Sequence, residues 1–384
     1  MDFDLSDEHK MLRNTVRSFT EKEIKPCVHD LDEKEEFSVA LTRAMGERGF
    51  SGVIFPEEYG GQGLDYLSYI ITVEELARID GSQAATVAAG VSLGISPIYY
   101  FGNETQKKKY LPKLCSGEML WGFGLTEPNA GSDAGNSSTT AILDGNEWVI
   151  NGQKIFITNG ASEITAGVTV QAVTGTRSHG KKELSCILVE SGTKGFTQKA
   201  MHGKLCWRAS NTGELYFEDV RVPKENLLGK QGEGLHQMLA TLDGGRLSIG
   251  AMGLGGAQGA FEEALKYSQE RVQFGKPICD FQVNSFKLAD MATKIEQARL
   301  LLYKATWLRD QKRPFGKEAA MAKLVCSEVF HDCANGAVQL HGGYGLMKEF
   351  PVERFYRDQK LLEIGEGTSE IQRLVIARNI IGGK

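Results

Sequence analysis

The hydrophobic spacing of this chain changes twice along its length, from helical to strand-like and back to helical. In the first third, apolar residues recur at helical spacing, as at Leu12, Val16 and Phe19. From about Leu120, short β-prone runs follow one another, and beyond Gly234 long helical patterns return. Because strands and helices are segregated rather than alternating, the pattern disfavours a βαβ sheet and predicts separate helical and β units.

Turn and stop signals refine this picture. Asp144-Gly145 and Asn151-Gly152 lie beside β-prone runs and each predict a tight hairpin turn. In the last third, periodicity and glycine or proline breaks predict long helices over 247–272, 282–309 and 316–340.

The length of 384 residues exceeds what one ordinary hydrophobic core supports, which predicts two or three domains. We predict a mainly α fold with a central β domain. The domains expected are an N-terminal helical domain over 1–119, an antiparallel β domain over 120–228 and a C-terminal helical domain over 229–384.

Charge and composition narrow the function classes. The net charge is −5 and no basic stripe is interleaved with aromatic residues, which argues against nucleic-acid binding. The acidic N-terminus predicts no secretory signal, and we expect no membrane span because no stretch approaches about 18 consecutive apolar residues. The seven cysteines are scattered and odd in number, which predicts free thiols in a reducing cytoplasm. No Cys-x-x-Cys or His-x-x-x-His spacing is present, so we expect no metal site.

A glycine-rich stretch, Gly253 to Gly259, almost matches the dinucleotide-binding pattern. Its last glycine comes one position late, and the stretch lies inside a helical run instead of following a strand. We therefore interpret these small residues as a place where helices pack closely.

Three elements carry possible chemistry. Glu366 lies between Gly365 and Gly367, just before Ser369, which we expect to cap the final helix, so its carboxylate could act as a base in a pocket or simply be solvated. The loop 126–133 carries hydroxyls and backbone N–H groups that could hold a polar ring or a phosphate, although an ordinary capped turn has the same composition. Residues 156 and 158, an aromatic and a threonine, would share one face of a strand.

Together with the stretches 271–277 and 339–343, these elements resemble the acyl-CoA dehydrogenase family. The resemblance extends over essentially the whole chain, with five motifs in the family's order. The stretches 131–140 and 317–323 are most similar to the short-chain, butyryl-CoA type.

The resemblance implies an N-terminal helical domain, a β domain and a C-terminal four-helix bundle, assembled as a homotetramer that binds FAD and an acyl-CoA substrate. Residues 271, 339, 342 and 343 would reach the FAD of the partner subunit. The implied FAD contacts are Thr126, Ser132, Phe156, Thr158, Arg271, Phe274, Gln339, Gly342, Gly343 and Thr368, and the implied substrate contacts are Ser132, Asp243, Arg246, Gly365 and Gly367.

The resemblance also implies a reaction. Glu366 would remove the α-proton of the thioester while flavin N5 accepts the β-hydride, giving a 2-enoyl-CoA and passing electrons to electron-transfer flavoprotein. Burial would raise the pKa of this carboxyl group. In a minority of the family the base stands at the position of Gly245, which cannot serve here.

Gly365 occupies a position where short- and medium-chain members usually carry tyrosine, which predicts room for branched or cyclic acyl groups unless other side chains refill the space. An acyl-CoA oxidase, a dicarboxylyl-CoA dehydrogenase and a non-catalytic relative stay open as alternatives. The dicarboxylyl-CoA hypothesis is weaker, because the distal carboxylate needs a cationic side chain and the stretch 83–92 has no arginine or lysine. We expect a cytoplasmic protein, or a mitochondrial matrix protein if a transit peptide was removed.

Overall fold

The computed structural model describes residues 4–382, and its first part is helical. Ser6 begins the first helix as a cap and accepts a hydrogen bond from the backbone N–H of His9. π-helical turns extend the first helix over Thr20–Ile24 and join the fifth to the sixth over Gly90–Ile95. The helices of this part are α1 (Asp7–Phe19), α2 (Val28–Lys34), α3 (Val39–Glu47), α4 (Tyr66–Ala77), α5 (Gly81–Ala89), α6 (Ser96–Phe101) and α7 (Glu104–Cys115).

A sheet follows, in the strand order β6-β7-β3-β2-β4-β5-β8, with β1 beside β4. Its strands are β1 (Leu120–Gly124), β2 (Thr140–Asp144), β3 (Glu147–Thr158), β4 (Thr165–Thr176), β5 (Lys182–Glu190), β6 (Phe196–Ala200), β7 (Thr212–Pro223) and β8 (Leu227–Leu228). Most neighbours are antiparallel, but β1 and β2 each pair with β4 in parallel, so the sheet is mixed where we expected an antiparallel one.

One of the two predicted hairpin turns is wrong. Asp144 and Glu147 close the β2–β3 hairpin around Gly145, as predicted. Asn151 and Gly152 instead lie inside β3, where the register with β7 shifts. A Cβ atom at Gly152 would approach the Thr139 hydroxyl to 2.5 Å. The close approach of the neighbouring strand, and not a turn, therefore requires a glycine at this position.

The last part is helical again. A short two-stranded ribbon interrupts it between the first two helices. Its elements are α8 (Gly234–Glu270), β9 (Val272–Gln273), β10 (Lys276–Pro277), α9 (Gln282–Asp310), α10 (Gly316–His341), α11 (Val352–Ile364) and α12 (Ser369–Ile381). The second and third of the long helices match the predicted ranges closely, whereas α8 begins at Gly234, well before the predicted start at 247.

The glycines of α8 let it pack directly on α4. A Cβ atom at Gly255 would lie 2.1 Å from the carbonyl oxygen of Glu74, and one at Gly259 would lie 2.1 Å from that of Arg78. This confirms the interpretation of the glycine-rich stretch as a helix-packing surface. One apolar core consequently joins the N-terminal and C-terminal helices, with Tyr69 and Leu254 among its members, while a second lies within the sheet.

Among the described residues, one helical run, Gly81–Phe101, is long and apolar enough to cross a membrane, which corrects the expectation that no stretch reaches that length. Its most apolar window is 72% buried inside the protein. The helix of a protein core has the same length and composition.

We predict that Gly255→Ala destabilises the protein. The added methyl group must push α8 away from α4, which should lower the free energy of unfolding by about 1–3 kcal/mol even though alanine favours a helix. Chemical denaturation measures this loss.

Gly336→Ala is the matched control, because it lies in a helix and its Cβ atom would meet the flexible Met291 sulfur at 3.2 Å. It should be neutral or slightly stabilising. An equally stable Gly255→Ala variant would show that α4 and α8 tolerate separation.

Candidate active site

The loop between α11 and α12 presents Glu366. Both Glu366 (φ 51°) and Gly367 (φ 91°) are in the left-handed region, which a glutamate rarely adopts. The hydroxyl of Thr368 caps α12 by accepting from the N–H of Ile371, so Thr368 is the cap and Ser369, predicted as the cap, is the first helical residue. The turn and cap together fix where the carboxylate lies.

The carboxyl group of Glu366 lies against the backbone of α8. A Cβ atom at Gly245 would come within 1.9 Å of its Oε2 atom, which is buried and has no hydrogen-bond partner in the described part of the chain. Burial raises the pKa of Glu366 from its ordinary value of 4.5 to about 7, against the opposing charges of Lys323 and Arg246. A buried carboxyl group with a free oxygen and a near-neutral pKa is suited to accept a proton.

Two of the predicted substrate contacts lie beside it on α8. Arg246 is buried and forms an ion pair with Asp243, while its Nε atom lacks a partner in the described structure. Burial raises the pKa of Asp243, although Arg246 and Arg309 oppose the shift. This part of α8 therefore holds polar groups next to the carboxyl group of Glu366.

A buried ion pair shapes the predicted cofactor loop. Lys154 is fully buried and its Nζ atom lies 2.7 Å from Oε1 of Glu127. Glu127 also accepts hydrogen bonds from the backbone N–H groups of Ser138 (2.7 Å) and Thr139 (3.1 Å). Although burial opposes it, the charge of Lys154 and these bonds lower the pKa of Glu127 to about 2. The pair thus fixes both ends of the loop that carries Thr126 and Ser132.

The same loop is tied to β3. The N–H of Ile155 donates to the carbonyl of Thr126 at 3.0 Å, which brings Thr126 next to Phe156. Phe156 has a φ of 60° and is 63% exposed, Ile157 is buried, and Thr158 is half-buried. The left-handed residue and the register shift between Lys154 and Ile157 interrupt the regular strand alternation, so the shared face of residues 156 and 158 stays a prediction. An exposed aromatic ring beside two hydroxyls fits the face and polar edge of a flavin.

Contacts connect this end of β3 with the surroundings of Glu366. Asn159 donates to the carbonyl of Thr86 on α5 at 3.0 Å. Farther along the same helical run, the hydroxyls of Ser92 and Ser248 are 3.5 Å apart, and Ser248 donates to the carbonyl of Gly245. The α5–α6 run therefore touches both the predicted flavin face and the helix against which Glu366 lies.

The other predicted FAD contacts lie at the far end of the bundle. Arg271, Gly342 and Gly343 line a cavity of about 600 Å³, with the Arg271 guanidinium 5.7 Å from the ring centre of Tyr344. Phe274 and Gln339 lie three residues from Arg271 and Gly342 in sequence, and both side chains are exposed, that of Phe274 by 93%. Gly245 and Arg271 are 26 positions apart along α8, roughly 39 Å at helical rise. The structure does not bring this group together with Glu366 within one subunit.

The structure also adds residues that the sequence analysis did not single out. Lys323 and Gln372 are fully buried and donate to the carbonyl of Gly367, next to Glu366. Lys323 follows four apolar residues, from 319 to 322, and a lone lysine on an apolar helix face is the signal that could have identified it.

We predict that Glu366→Gln stabilises the protein at alkaline pH. Folding favours the neutral carboxyl group, so the wild type loses stability as the pH rises from 4.5 through about 7. Glutamine has no charge to bury and does not show this loss. The free energy of unfolding of the variant should therefore exceed that of the wild type by about 1–3 kcal/mol at about pH 8, and the difference should vanish below about pH 5. Denaturation at both pH values measures it.

Glu370→Gln is the control, because the pKa of this exposed carboxyl group is lowered, by hydrogen bonds at the helix start, and the sign of the effect should reverse. A pH-independent gain for Glu366→Gln would contradict the raised pKa.

Comparison with known proteins identifies the chain's family. The family models described as the N-terminal, middle and C-terminal domains of acyl-CoA dehydrogenase match residues 6–118, 122–220 and 232–381. A probable acyl-CoA dehydrogenase of Bacillus subtilis is 52% identical, with 99% of this chain and 100% of the relative covered. A short-chain specific acyl-CoA dehydrogenase of Clostridium acetobutylicum is 48% identical, again with 99% of this chain and 100% of the relative covered.

Solved structures agree over the whole length. The butyryl-CoA dehydrogenase of Megasphaera elsdenii superposes with a TM-score of 0.96 at 44% sequence identity. A structure from work on the electron-transferring flavoprotein of Acidaminococcus fermentans has a TM-score of 0.96 at 45% sequence identity. Each of these two comparisons covers 99% of this chain and 100% of the other chain. An acyl-CoA dehydrogenase of Bacillus anthracis complexed with FAD has a TM-score of 0.93 at 37% sequence identity, and this comparison covers 99% of this chain and 69% of the other chain. The chain belongs to the acyl-CoA dehydrogenase family of FAD-dependent oxidoreductases.

Proposed function

We propose that this protein is an acyl-CoA dehydrogenase that introduces a double bond between the α and β carbons of a short-chain, branched or cyclic acyl-CoA, with Glu366 as the base. The observation that carries the proposal is the buried, unpartnered Oε2 atom of Glu366 beside Gly245. A side chain at position 245 would fill that space, so the glycine leaves the position of the base to Glu366.

The pKa of Glu366 suits proton abstraction from a weak carbon acid. A value of about 7 leaves the carboxylate ionised in a useful fraction near neutral pH, while making it a stronger base than an exposed glutamate. A thioester that fills the site would exclude water and raise its proton affinity further. The α-proton then moves to Oε2 of Glu366.

The thioester carbonyl needs hydrogen bonds that strengthen as negative charge develops on its oxygen. The backbone N–H of Glu366 forms no hydrogen bond within the described chain. We assign this N–H to the thioester carbonyl, with Asp243 and Arg246 contacting the CoA portion and residues 132, 365 and 367 lining the site.

Thr126, Ser132, Phe156, Thr158 and Thr368 would hold FAD, whose flavin N5 accepts the β-hydride when the cofactor is bound. The loop fixed by the Glu127–Lys154 pair provides hydroxyls and N–H groups for its polar parts. Thr368 would contribute from the cap of α12. The buried ion pair thus fixes the proposed cofactor-binding loop.

The remaining predicted FAD contacts support an oligomer. Arg271, which lines one cavity with Gly342 and Gly343, lies roughly 39 Å along α8 from Gly245, too far for one flavin to reach both Arg271 and Glu366. Phe274 and Gln339 are near these residues in sequence. We propose that all of these contacts bind the FAD of a partner subunit in a homotetramer. The exposed Phe274 ring would be covered in that assembly.

We propose electron-transfer flavoprotein as the electron acceptor, because one similar structure comes from work on such a protein. The seven free cysteines suit a reducing compartment, the bacterial cytoplasm or the mitochondrial matrix. Bacterial and mitochondrial relatives both exist. We also propose that the three domains divide after residues 119 and 228.

Anaerobic titration of the yellow protein with straight, branched, cyclic and dicarboxylic acyl-CoAs tests the function. Bleaching of the oxidised flavin band by one class identifies the substrate. Glu366→Gln should retain FAD and slow bleaching by about 10²–10⁴-fold, because the proton has no acceptor. Glu370→Gln, an exposed neighbour, should bleach normally. Rapid bleaching by the Glu366→Gln variant would place the base elsewhere, and bleaching by dicarboxylic substrates alone would favour the dicarboxylyl-CoA alternative.

Gly365→Tyr tests the predicted width of the acyl site. The φ of −67° accepts a side chain, and the new Cβ atom would meet only Leu361, at 3.0 Å from its Cδ2 atom and 3.4 Å from its carbonyl oxygen. The ring should reduce kcat/KM for branched and cyclic acyl-CoAs about tenfold more than for butyryl-CoA. Gly365→Ala separates the effect of the ring from that of the Cβ atom. Equal losses on all substrates would refute the predicted width.

A further inference from the structure

Lys323 is a fully buried cation directed at the loop of the proposed base. It lies on α10, and its Nζ atom donates to the carbonyl oxygen of Gly367 at 2.9 Å. A buried ammonium group is expensive unless it is paired, and an apolar side chain of similar length would fill the same volume without that expense. Packing alone therefore gives no reason for a lysine at this position.

The carbonyl groups of the loop receive a second buried donor. The Nε2 atom of Gln372 lies 2.8 Å from the carbonyl oxygen of Gly367 and 3.3 Å from that of Glu366. Both carbonyls belong to the left-handed turn. Hydrogen bonds to these oxygens offset the strain of a glutamate with positive φ. Lys323 and Gln372 therefore hold the same turn, one with a charge and one without.

The charge of Lys323 also acts on the carboxyl group. It opposes the rise in the pKa of Glu366, more strongly than Arg246 does. Burial lowers the pKa of Lys323 to about 8, and the negative charge of Glu366 is the largest influence that raises it. Each group thus stabilises the charged form of the other.

Other ionisable groups around the pair come from several elements. Arg246 on α8 faces both groups, while Glu363 on α11 and Glu370 on α12 act on Lys323. Tyr66 and Tyr69 on α4 are influenced by Glu366, but burial raises the pKa of each above 10, so both stay neutral in the working range. Lys323 and Arg246 are the cations that act on the base.

We propose that Lys323 is a positioning residue for the dehydrogenation: its buried ammonium group holds the carbonyl oxygen of Gly367, fixes the turn that presents Glu366 and places a positive charge at the loop of the proposed base. The inference rests on the proposed role of Glu366 as the base. It adds that proton abstraction depends on a side chain outside the residues assigned to the substrate and to the cofactor.

The test uses a 3-oxoacyl-CoA, which the enzyme does not need to oxidise. Its acidic α-proton is lost to a base in the site, and the enolate is followed by its ultraviolet absorbance as the pH is varied. The variants are Lys323→Met, which removes the charge and the donor, and Gln372→Met, the matched control that removes only a neutral donor. Lys323→Gln, a neutral polar replacement, serves if the methionine variant yields no folded flavoprotein.

Lys323→Met should shift the pH midpoint of enolate formation upward by about one unit, because both the carboxylate and the enolate lose a nearby cation. The acid limb of kcat/KM for acyl-CoA oxidation should shift in the same direction. Gln372→Met should lower the limiting rate several-fold and leave the midpoint in place. Lys323→Gln should shift the midpoint as methionine does.

An unchanged midpoint in both Lys323 variants would overturn the proposal, as would an equal shift in Gln372→Met. Failure of the proposed function would be distinguishable from failure of this proposal. If Glu366 were not the base, Glu366→Gln would still form the enolate at the wild-type rate. A shift in the Lys323 variants together with loss of enolate in Glu366→Gln supports both.

Discussion

The carboxyl group of Glu366 is buried against α8 with one oxygen unpartnered, and the rest of the site depends on how the fold maintains that arrangement. A free carboxylate in such a place favours its neutral form, which lowers stability at neutral and alkaline pH. Lys323 and Arg246 limit this penalty without removing it. A protein selected for stability alone would place glutamine or a smaller side chain there, so the arrangement indicates chemistry.

Helix α8 links this site to the architecture. Its glycines bring α4 close, and Gly245 leaves space for the carboxyl group of Glu366. Its far end carries Arg271, beside the cavity that the proposed partner flavin would occupy. A helix of 37 residues is long enough to separate two flavin-binding regions and rigid enough to fix their spacing. The proposed assembly and the proposed catalysis therefore depend on the same helix.

The sequence predicted the order of helices and strands, the second and third long helices of the last part and the packing role of the glycines, because each rests on local periodicity or on a local break. It failed where long-range contacts decide. Asn151 and Gly152 have the composition of a turn, but the approach of Thr139 keeps them inside a strand. Thr368, not Ser369, caps α12, because either hydroxyl could serve and the position of the turn selects one. Motifs suggested Glu366, whereas the partners that position it, Lys323 and Gln372, come from distant segments that only the folded chain brings together.

The protonation state of Glu366 tests most directly whether this side chain is a buried base. Infrared difference spectra between the wild type and Glu366→Gln, recorded over a range of pH, isolate the carboxyl C=O stretch of this side chain. We expect the band of the protonated acid to persist from acid pH and to disappear with a midpoint near 7. A band that is already lost near pH 4.5 would show a solvated carboxylate, and the buried base described here would not exist.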